Sequence, residues 1–255
     1  MKPPAYQTSL MSRKLELREG AILISDAHYS LKKPQLFSLL EDIYTQKIQA
    51  PQLIFMGDVF DALFGSIDYT YEENQKMIDL IEKIAQKIEV IYFEGNHDFN
   101  LKRVFKTPFI IPIAKQPFLM HFKDKRVYLA HGDFDGKAGY KIYTALIRNP
   151  FVLFILKYID IITAHAILKN VQSHLDKKDD CRELSWFEDF IQKRFAKRFV
   201  CDYFIEGHFH QNKTLILDDF IYINLGAFAC NQRYFIVKST QDNKLTVEEK
   251  LYKEM

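Results

Sequence analysis

The chain has 255 residues, of which 48% are hydrophobic, and its formal net charge of +2 is close to balance. This length and composition predict one large domain with a substantial core and room for an inserted subdomain. The near-neutral charge argues against nucleic-acid binding driven by overall charge.

Strand-like and helical segments alternate in the first half of the chain. Four apolar runs are typical of buried strands: residues 21–25, 53–56, 90–94 and 127–130. The segments between the first three runs carry apolar residues at helical spacing, at residues 34–48 and 71–88. This alternation predicts βαβ units and a layered α/β core.

The middle of the chain is predicted to be an inserted helical lid, residues 137–199, between two parts of one core, residues 20–136 and 200–240. Three stretches have helical spacing: residues 139–149, 151–168 and 183–197. A structureless loop of this length would be unusual in a compact domain. The segment leaves after His131-Gly132-Asp133 and returns before Gly207-His208, so we expect it to cover what those motifs build.

The last part of the chain is rich in short β-like runs: residues 203–206, 213–217, 220–224 and 233–237. Asp218-Asp219 separates two of them and predicts a hairpin turn. A second sheet packed on the first is therefore expected.

Five short motifs place acid, amide or imidazole side chains at the ends of apolar runs. They are Asp26-Ala27-His28, Gly57-Asp58-Val59-Phe60-Asp61, Gly95-Asn96-His97-Asp98, His131-Gly132-Asp133 and Gly207-His208-Phe209-His210. In an open α/β sheet this is the edge where ligands bind. Oxygen and nitrogen donors without a thiolate favour Mn²⁺, Fe or Zn²⁺. The number of donors suits two ions that share one bridging carboxylate.

The ordered set of motifs resembles the calcineurin-like metallophosphoesterase superfamily over residues 21–210. The resemblance implies a two-sheet β-sandwich flanked by helices, and it implies two divalent ions, with Mn expected and Fe or Zn also compatible. Asp26, His28 and His210 would hold the first ion. Asn96, His131 and His208 would hold the second, and Asp58 would bridge them.

The wider context is similar to the UDP-2,3-diacylglucosamine diphosphatases of lipid A biosynthesis. The similarity rests on the Phe99-Asn100-Leu101 extension of the third motif and on residues 135–140, which precede the apolar helical segment. It implies cleavage to UMP and 2,3-diacylglucosamine 1-phosphate by metal-bound hydroxide, with Asn96 and Tyr140 contacting the substrate. In that family the insertion is a lid for two acyl chains. One departure is His97, which stands where the best-known branch carries Arg, although His is the general superfamily pattern.

The residues beside the ligands have expected roles of their own. His97 is expected to stabilise developing charge or to protonate the leaving oxygen, with Asp98 orienting its imidazole. Asp61 and Asp133 are expected to be supporting or turn residues rather than ligands.

The lid segment is apolar nearly all round, and it includes Phe151, Leu153, Phe154, Leu156, Ile159 and Ile162. Such a helix needs an apolar partner beyond the core, and the resemblance implies the inner face of the cytoplasmic membrane. Charges at Lys157 and Asp160 argue against a spanning helix. The basic cluster Lys193, Arg194, Lys197 and Arg198 is expected to be a solvated helix face.

The three cysteines, Cys181, Cys201 and Cys230, are odd in number and widely spaced. They are expected to be reduced, buried side chains of a cytoplasmic protein. The first 20 residues lack the pattern of a secretory signal, which agrees with that expectation.

Three alternatives remain beside the nucleotide-linked lipid hydrolase. The first is a soluble metallophosphoesterase acting on another phosphodiester or nucleotide. The second is a nuclease of the same superfamily, which the balanced charge disfavours. The third is a metal-free scaffold, which we rank last because all the expected ligands are present.

Overall fold

The computed structural model describes residues 15–136, 138–163, 170, 181–196 and 199–253; at positions 138, 140, 141, 143, 150, 160 and 161 it describes the backbone without the side chain. Residues 164–169 and 171–180 of the predicted lid, which include His165 and His174, lie outside this description, as do Lys197 and Arg198. The secondary structure below refers to the described residues.

Six of the described strands form a mixed sheet in the order β13-β12-β1-β2-β4-β6. The strands β1, β2, β4 and β6 are parallel, with Ile22 opposite Leu53, while β12 and β13 join antiparallel at one edge. Their bounds are Ile22–Ile24 (β1), Gln52–Phe55 (β2), Glu89–Phe93 (β4), Phe109–Ile111 (β6), Arg233–Ser239 (β12) and Leu245–Leu251 (β13).

A second sheet of five described strands has the order β10-β11-β9-β8-β7. Here β8, β9 and β11 are parallel, and β7 and β10 close the two edges antiparallel. Their bounds are Phe118–Phe122 (β7), Lys125–Ala130 (β8), Tyr203–Glu206 (β9), Lys213–Ile216 (β10) and Ile221–Asn224 (β11). A short parallel pair, β3 (Leu63–Phe64) and β5 (Asp98–Phe99), lies apart from both sheets.

Six helices are described: α1 Gln35–Tyr44, α2 Asp68–Ala85, α3 Ala138–Arg148, α4 Pro150–Ile162, α5 Phe187–Phe195 and α6 Phe228–Asn231. In α1 the apolar residues recur at the spacing of one helical face, so Leu36, Leu39, Leu40 and Ile43 are all buried. Asp68 in the first turn of α2 and Lys83 in its last turn both suit the helix dipole.

Alternation along the strands produces the layers. In β1, Ile22 and Ile24 pack with the α1 and α2 helices, while Leu23 faces the core between the two sheets. In β9, Ile205 faces that same inter-sheet core, while Phe204 faces outward into a cluster formed with α5. The order is helix, sheet, sheet, helix, and the predicted two-sheet α/β architecture flanked by helices is confirmed.

The expectation for the cysteines is wrong for two of them. Cys181 and Cys230 are joined by a disulfide across a sequence separation of 49 residues. Cys201 is a buried free thiol, as expected. Their spacing gave no signal for this pairing, because the two residues meet only through the tertiary fold.

None of the described helices combines the length and the apolar composition that crossing a membrane requires.

Candidate metal centre

The five motifs converge at one edge of the molecule. Asp26 and His28 follow β1, Asp58 follows β2, and Asn96 follows β4, all in the first sheet. In the second sheet, His131 follows β8, and the pair His208 and His210 follows β9. Because parallel strands end at a common edge, the carboxyl ends of both sheets supply donors to the same place.

The first donor group consists of Asp26, His28 and His210, whose ligand-type atoms all lie within 4.8 Å of one another. Nε2 of His210 lies 3.1 Å from Oδ1 of Asp26. The His28 and His210 rings face each other edge-on, with centroids 5.8 Å apart. The loop following β1 and the loop following β9 thus form one compact, buried cluster.

The second donor group consists of Asp58, His131 and His208, again with ligand-type atoms within 4.8 Å. Nε2 of His131 lies 3.4 Å from Oδ2 of Asp58 and 3.3 Å from Oδ1 of Asn96, so the amide belongs to this group. The backbone of Asp58 also pairs with the first group, because its carbonyl accepts a hydrogen bond from the His28 amide at 3.0 Å. Asp58 therefore connects the two groups.

Five of the donor residues have backbone dihedral angles in the left-handed region. The φ angles are 49° at Asp26, 46° at His28, 50° at Asp58, 62° at His208 and 59° at His210. Non-glycine residues adopt this region rarely and at a cost, and such residues concentrate at functional sites. The surrounding fold holds the donors in place against that local preference.

Glycines allow the loops to approach this closely. A Cβ on Gly207 would collide with the side chains of Ser25 and Asp26, and one on Gly95 would collide with the Asp58 carboxylate. The hydroxyl of Ser25 donates to Oδ2 of Asp26, which also accepts the His208 amide at 2.9 Å. Gly95 and Gly207 are thus required because any side chain at these positions would clash with a neighbouring loop.

Hydrogen bonds fix which imidazole nitrogen is available. Nδ1 of His131 lies 2.9 Å from the Met56 carbonyl and so carries the proton, which leaves Nε2 facing Asp58 and Asn96. Nδ1 of His28 lies 3.4 Å from the Asp61 carboxylate, so Asp61 supports this ring as predicted. In His131 and His28 these contacts occupy Nδ1, which leaves Nε2 as the nitrogen that can face a metal ion.

The contacts of His97 differ from the prediction that Asp98 orients its ring. Nδ1 of His97 lies 3.0 Å from the Asp61 backbone carbonyl, and its Nε2 lies 3.9 Å from Oδ2 of Asp58. The buried Asp98 carboxylate instead accepts hydrogen bonds from the amides of Gly95 and Val59, at 2.9 and 2.6 Å. It thereby holds the second and third motifs together. Because the Asp98 carboxylate is occupied by these backbone amides, it cannot also turn toward the His97 ring.

Burial and charge set the protonation of the donors. Burial alone would raise the pKa of Asp58, but the imidazoles of His131 and His97 outweigh it and hold that pKa well below its usual range. Burial, together with the neighbouring His131, lowers the pKa of His208 to about 4. A carboxylate and a neutral imidazole are the forms that bind a metal ion.

The residues fit a pair of divalent ions. Oδ1 of Asp26 is buried and accepts no hydrogen bond among the described residues. An ion held between this oxygen and His210 would supply the missing partner. The donors are carboxylate, amide and imidazole, without thiolate, which is the set that Mn²⁺, Fe and Zn²⁺ accept. The buried location and the prearranged donors agree with this.

The start of the predicted lid is attached to the third motif. Arg148, at the end of α3, donates to the Gly95 carbonyl at 2.8 Å and to Oδ2 of Asp133 at 3.3 Å. Leu153 of α4 is buried in a small cluster with Ile67 and Phe99. Asp133 is thus a supporting residue, as predicted, and α3 and α4 lie beside the loop that carries Asn96 and His97.

The end of the predicted lid is attached through Arg194, and here the expectation of a solvated basic face is wrong. The side chain of Arg194 is only 5% exposed. Its Nη1 lies 2.6 Å from Oε1 of Glu206, its Nη2 donates to the Gly132 carbonyl at 2.9 Å, and its Nε donates to Asp135 at 3.0 Å. Lys193, its neighbour, is exposed as expected.

Tyr140 lies in α3, but its side chain is outside the described part of the structure, so its predicted substrate contact stays a prediction. Arg148, Arg194 and Glu206 were not predicted from the sequence. Glu206 could have been found as a polar residue at the end of a strand next to a motif, whereas Arg148 and Arg194 lie on helices and gave no such signal.

Comparison with known proteins was informative once this geometry was established. A sequence profile described as calcineurin-like phosphoesterase matches residues 21–212. A Pseudomonas fluorescens protein named UDP-2,3-diacylglucosamine hydrolase is 26% identical over 155 residues, which are 60% of this chain and 62% of that protein. This chain therefore matches less than two thirds of that relative's length.

A Haemophilus influenzae protein of the same name is 27% identical over 218 residues, covering 82% of this chain and 90% of its own. Among solved structures, a protein described as a novel archaeal phosphodiesterase superposes with a TM-score of 0.46 at 14% identity, covering 91% of this chain and 99% of its own. A superposition of this quality carries no argument about function.

Proposed function

The chain belongs to the calcineurin-like phosphoesterase family, and on that premise we propose that it hydrolyses the pyrophosphate of UDP-2,3-diacylglucosamine. Water adds to the α-phosphorus, the bond to the bridging oxygen breaks, and the products are UMP and 2,3-diacylglucosamine 1-phosphate. The observation that carries the proposal is the pair of donor groups, joined by Asp58, beside helices with a large exposed apolar surface. The name borne by the relatives supports the choice of substrate.

In this proposal Asp26, His28 and His210 would hold one divalent ion, and Asn96, His131 and His208 would hold the second, with Asp58 shared between them. When bound, the two ions activate a water molecule and neutralise charge on the phosphoryl oxygens. Mn²⁺ is the ion we expect. The chain's own contribution is to fix the positions and protonation states of the donors before substrate arrives.

His97 is the proposed general acid. Its Nε2 faces Asp58 at 3.9 Å, while its Nδ1 is held by the Asp61 carbonyl. From this position the ring can donate a proton to the leaving oxygen or a hydrogen bond to a phosphoryl oxygen. Asn96, whose Oδ1 lies 3.3 Å from Nε2 of His131, is the proposed contact to the phosphate. Asp98 holds the loop that bears both residues through its bond from the Gly95 amide.

The proposed lid comprises residues 137–199 and receives the acyl chains. Eight large apolar side chains of α3 and α4, which we call the lid patch, are 43% to 82% exposed: Ile142, Leu146, Phe151, Phe154, Ile155, Tyr158, Ile159 and Ile162. An exposed patch of this size marks a binding surface. It lies next to the loop of Asn96 through the contact of Arg148 with Gly95, so an acyl chain here is within reach of the ions.

The lid patch also supports peripheral attachment to the inner face of the cytoplasmic membrane, where a lipid-linked nucleotide is found. The disulfide between Cys181 and Cys230 bears on this location, because disulfides are rare in reducing compartments. The redox state of this pair in cells is therefore a direct test of the cytoplasmic assignment.

The experiment that tests the function is an assay of UMP release from UDP-2,3-diacylglucosamine with Mn²⁺ and with chelator, run beside bis(p-nitrophenyl) phosphate. Release that chelator abolishes, with only slow cleavage of the aryl diester, supports the proposal. Fast cleavage of the aryl diester with the UDP-lipid untouched would leave the metal centre in place and reject the lipid substrate.

That second outcome corresponds to a phosphoesterase that acts on another phosphodiester or nucleotide. One observation favours it, namely that His97 follows the general superfamily pattern rather than the Arg of the best-known lipid branch.

A further inference from the structure

A polar cavity of about 750 Å³ adjoins the first donor group. Ala27, which stands between Asp26 and His28, forms part of its wall. The remaining walls come from α6, from the start of β12 and the end of β13, and from Lys33 in the loop that follows β1. The cavity volume lies within the range of about 300–1,000 Å³ that is typical of small-molecule sites.

The cavity walls are built on the same backbone that positions Asp26. The amide of Phe228 donates to the Ser25 carbonyl at 2.8 Å, and the amide of Ala229 donates to the Asp26 carbonyl at 3.2 Å. On the far side, the amide of Tyr252 donates to the Gln232 carbonyl at 2.8 Å. The wall formed by α6 is therefore hydrogen-bonded to the backbone of the first donor group.

The charged residues of the lining are mainly cationic hydrogen-bond donors. Lys33, Arg233 and Lys253 supply three positive charges, and Glu249 supplies one negative charge. Arg233 is paired with Glu249 at 3.2 Å. Within the described structure, neither Lys33 nor Lys253 takes part in an ion pair, so both ammonium groups are available to a ligand.

The cavity and the lid adjoin different donor groups. Helices α3 and α4 contact the loop of Asn96 through Arg148 and Leu153, whereas the cavity opens beside Ala27 in the first group. A substrate whose phosphates span both ions would extend in two directions from the centre. One direction leads to an apolar surface, and the other leads to a polar, basic cavity.

We propose that this cavity binds the nucleoside monophosphate half of the substrate, while the lid patch receives the lipid half. The inference rests on the proposed function, which it extends by assigning the nucleotide a place. The phosphate of that half lies at the donor groups, where it is cleaved, while its base and ribose carry carbonyl and hydroxyl acceptors. The ammonium groups of Lys33 and Lys253 and the amide side chains of the lining, such as Asn231, match that pattern.

The test uses UMP as the probe and the Mn²⁺-loaded full chain. The variants are K33E, K253E and the double variant, with K76E as matched control, since Lys76 is an exposed lysine on α2 outside the cavity. Calorimetric titration is expected to show UMP binding weakened about 2- to 10-fold by each single change and more by both. Inhibition of aryl diester cleavage by inorganic phosphate should stay within about twofold of wild type, because that probe reaches only the ions.

A second measurement locates the nucleotide directly. Photo-crosslinking with 4-thio-UMP, followed by peptide mapping, is expected to label the segment from Phe228 to Arg233. Labelling confined to the lid helices would overturn the proposal, and so would UMP affinity unchanged in the double variant.

The outcomes separate this proposal from the proposed function. If the UDP-lipid is hydrolysed but UMP affinity and the KM for the UDP-lipid are unchanged when both lysines are replaced, the cavity assignment is wrong and the proposed function is retained. If UMP binding depends on the lysines but the UDP-lipid is not hydrolysed, the nucleotide site stands and the lipid substrate falls. Absence of both hydrolysis and UMP binding rejects the two together.

Discussion

Arg194 and Glu206 form a buried ion pair, with Nη1 of the guanidinium 2.6 Å from Oε1 of the carboxylate. Glu206 ends the strand that leads into Gly207 and His208, and the same guanidinium holds the carbonyl of Gly132, next to His131. One side chain from the last described helix of the predicted lid thus supports two loops that supply donors to the second group.

Replacement of Arg194 by alanine is expected to cost about 3–5 kcal/mol of unfolding free energy, because it leaves Glu206 buried without its cation. Mn²⁺ affinity of the second site should fall as well, since the Gly132 and Gly207 loops lose their common support. Urea unfolding and Mn²⁺ titration measure the two effects. Lys193→Ala is the matched control, being the exposed neighbour on the same helix. Wild-type stability in the Arg194→Ala variant would contradict this account.

The number of bound ions should follow the two donor groups. His131→Ala is expected to lower the metal content from two ions per chain to about one, because its Nε2 lies among the donors of the second group only. Asp58→Ala should lower occupancy of both sites, because it removes the carboxylate that in the proposed centre is shared by both ions. Elemental analysis after dialysis measures the content. His121→Ala in β7 is the control, and two retained ions in Asp58→Ala would reject the bridging role.

His97→Ala is expected to lower kcat by about 100-fold or more while leaving the metal content unchanged, because the ring acts on the reacting phosphate rather than on an ion. The readout is steady-state kinetics beside elemental analysis. An alanine variant that keeps its activity would show that the ring is only packing against His28, whose centroid is 4.9 Å away.

Charges placed in the lid patch should weaken vesicle binding. Phe151→Glu and Ile162→Glu, at positions 71% and 82% exposed, change no described core contact, so the fold should be retained. Cosedimentation with anionic vesicles is expected to decrease, while cleavage of a water-soluble aryl diester continues. Ile216→Glu in β10 is the control, since this residue is 86% exposed and lies outside the lid. Equal loss in the control would argue that general charge, rather than the lid, decides binding.

Thiol counting tests the cysteine pairing. The unreduced native chain should show no fast-reacting thiol, because Cys181 and Cys230 are joined and burial raises the pKa of Cys201 to about 12. Unfolding without reductant should expose one thiol, and reduction should expose three. Three thiols in a chain isolated under alkylating conditions would show that the pair is reduced in the cell, which the cytoplasmic proposal requires.

The donors could be predicted from the sequence because each motif is local. An apolar strand, a glycine and a donor residue lie together in the chain, and parallel strands bring such ends to one edge. The same logic identified β1, β2 and β4 of the first sheet, but the run at residues 127–130 lies in the second sheet and the run at residues 233–237 lies in the first. Short strands such as β6 and β7 were not predicted, since runs of three to five residues carry little periodicity.

What the sequence could not supply depends on contacts between distant residues. Arg194 reads as a surface residue from its helix pattern, and it is buried only because α5 packs against the phenylalanine cluster around Phe204. The hydrogen bonds from backbone amides to Asp98 could not be predicted for the same reason. Its neighbour in sequence is His97, but its partners at Val59 and Tyr92 come from other strands.

The two sheets meet at the metal centre, and this fixes an order of events during synthesis. Asp26, Asp58 and Asn96 leave the ribosome long before His208 and His210, so the first half of the chain emerges with both acidic donors but without the imidazoles that complete the two groups. Neither ion can be fully held until the strand ending at Glu206 has joined the second sheet. Metal capture is therefore a late step of maturation, and nascent chains stalled before that strand should not retain a complete pair of ions.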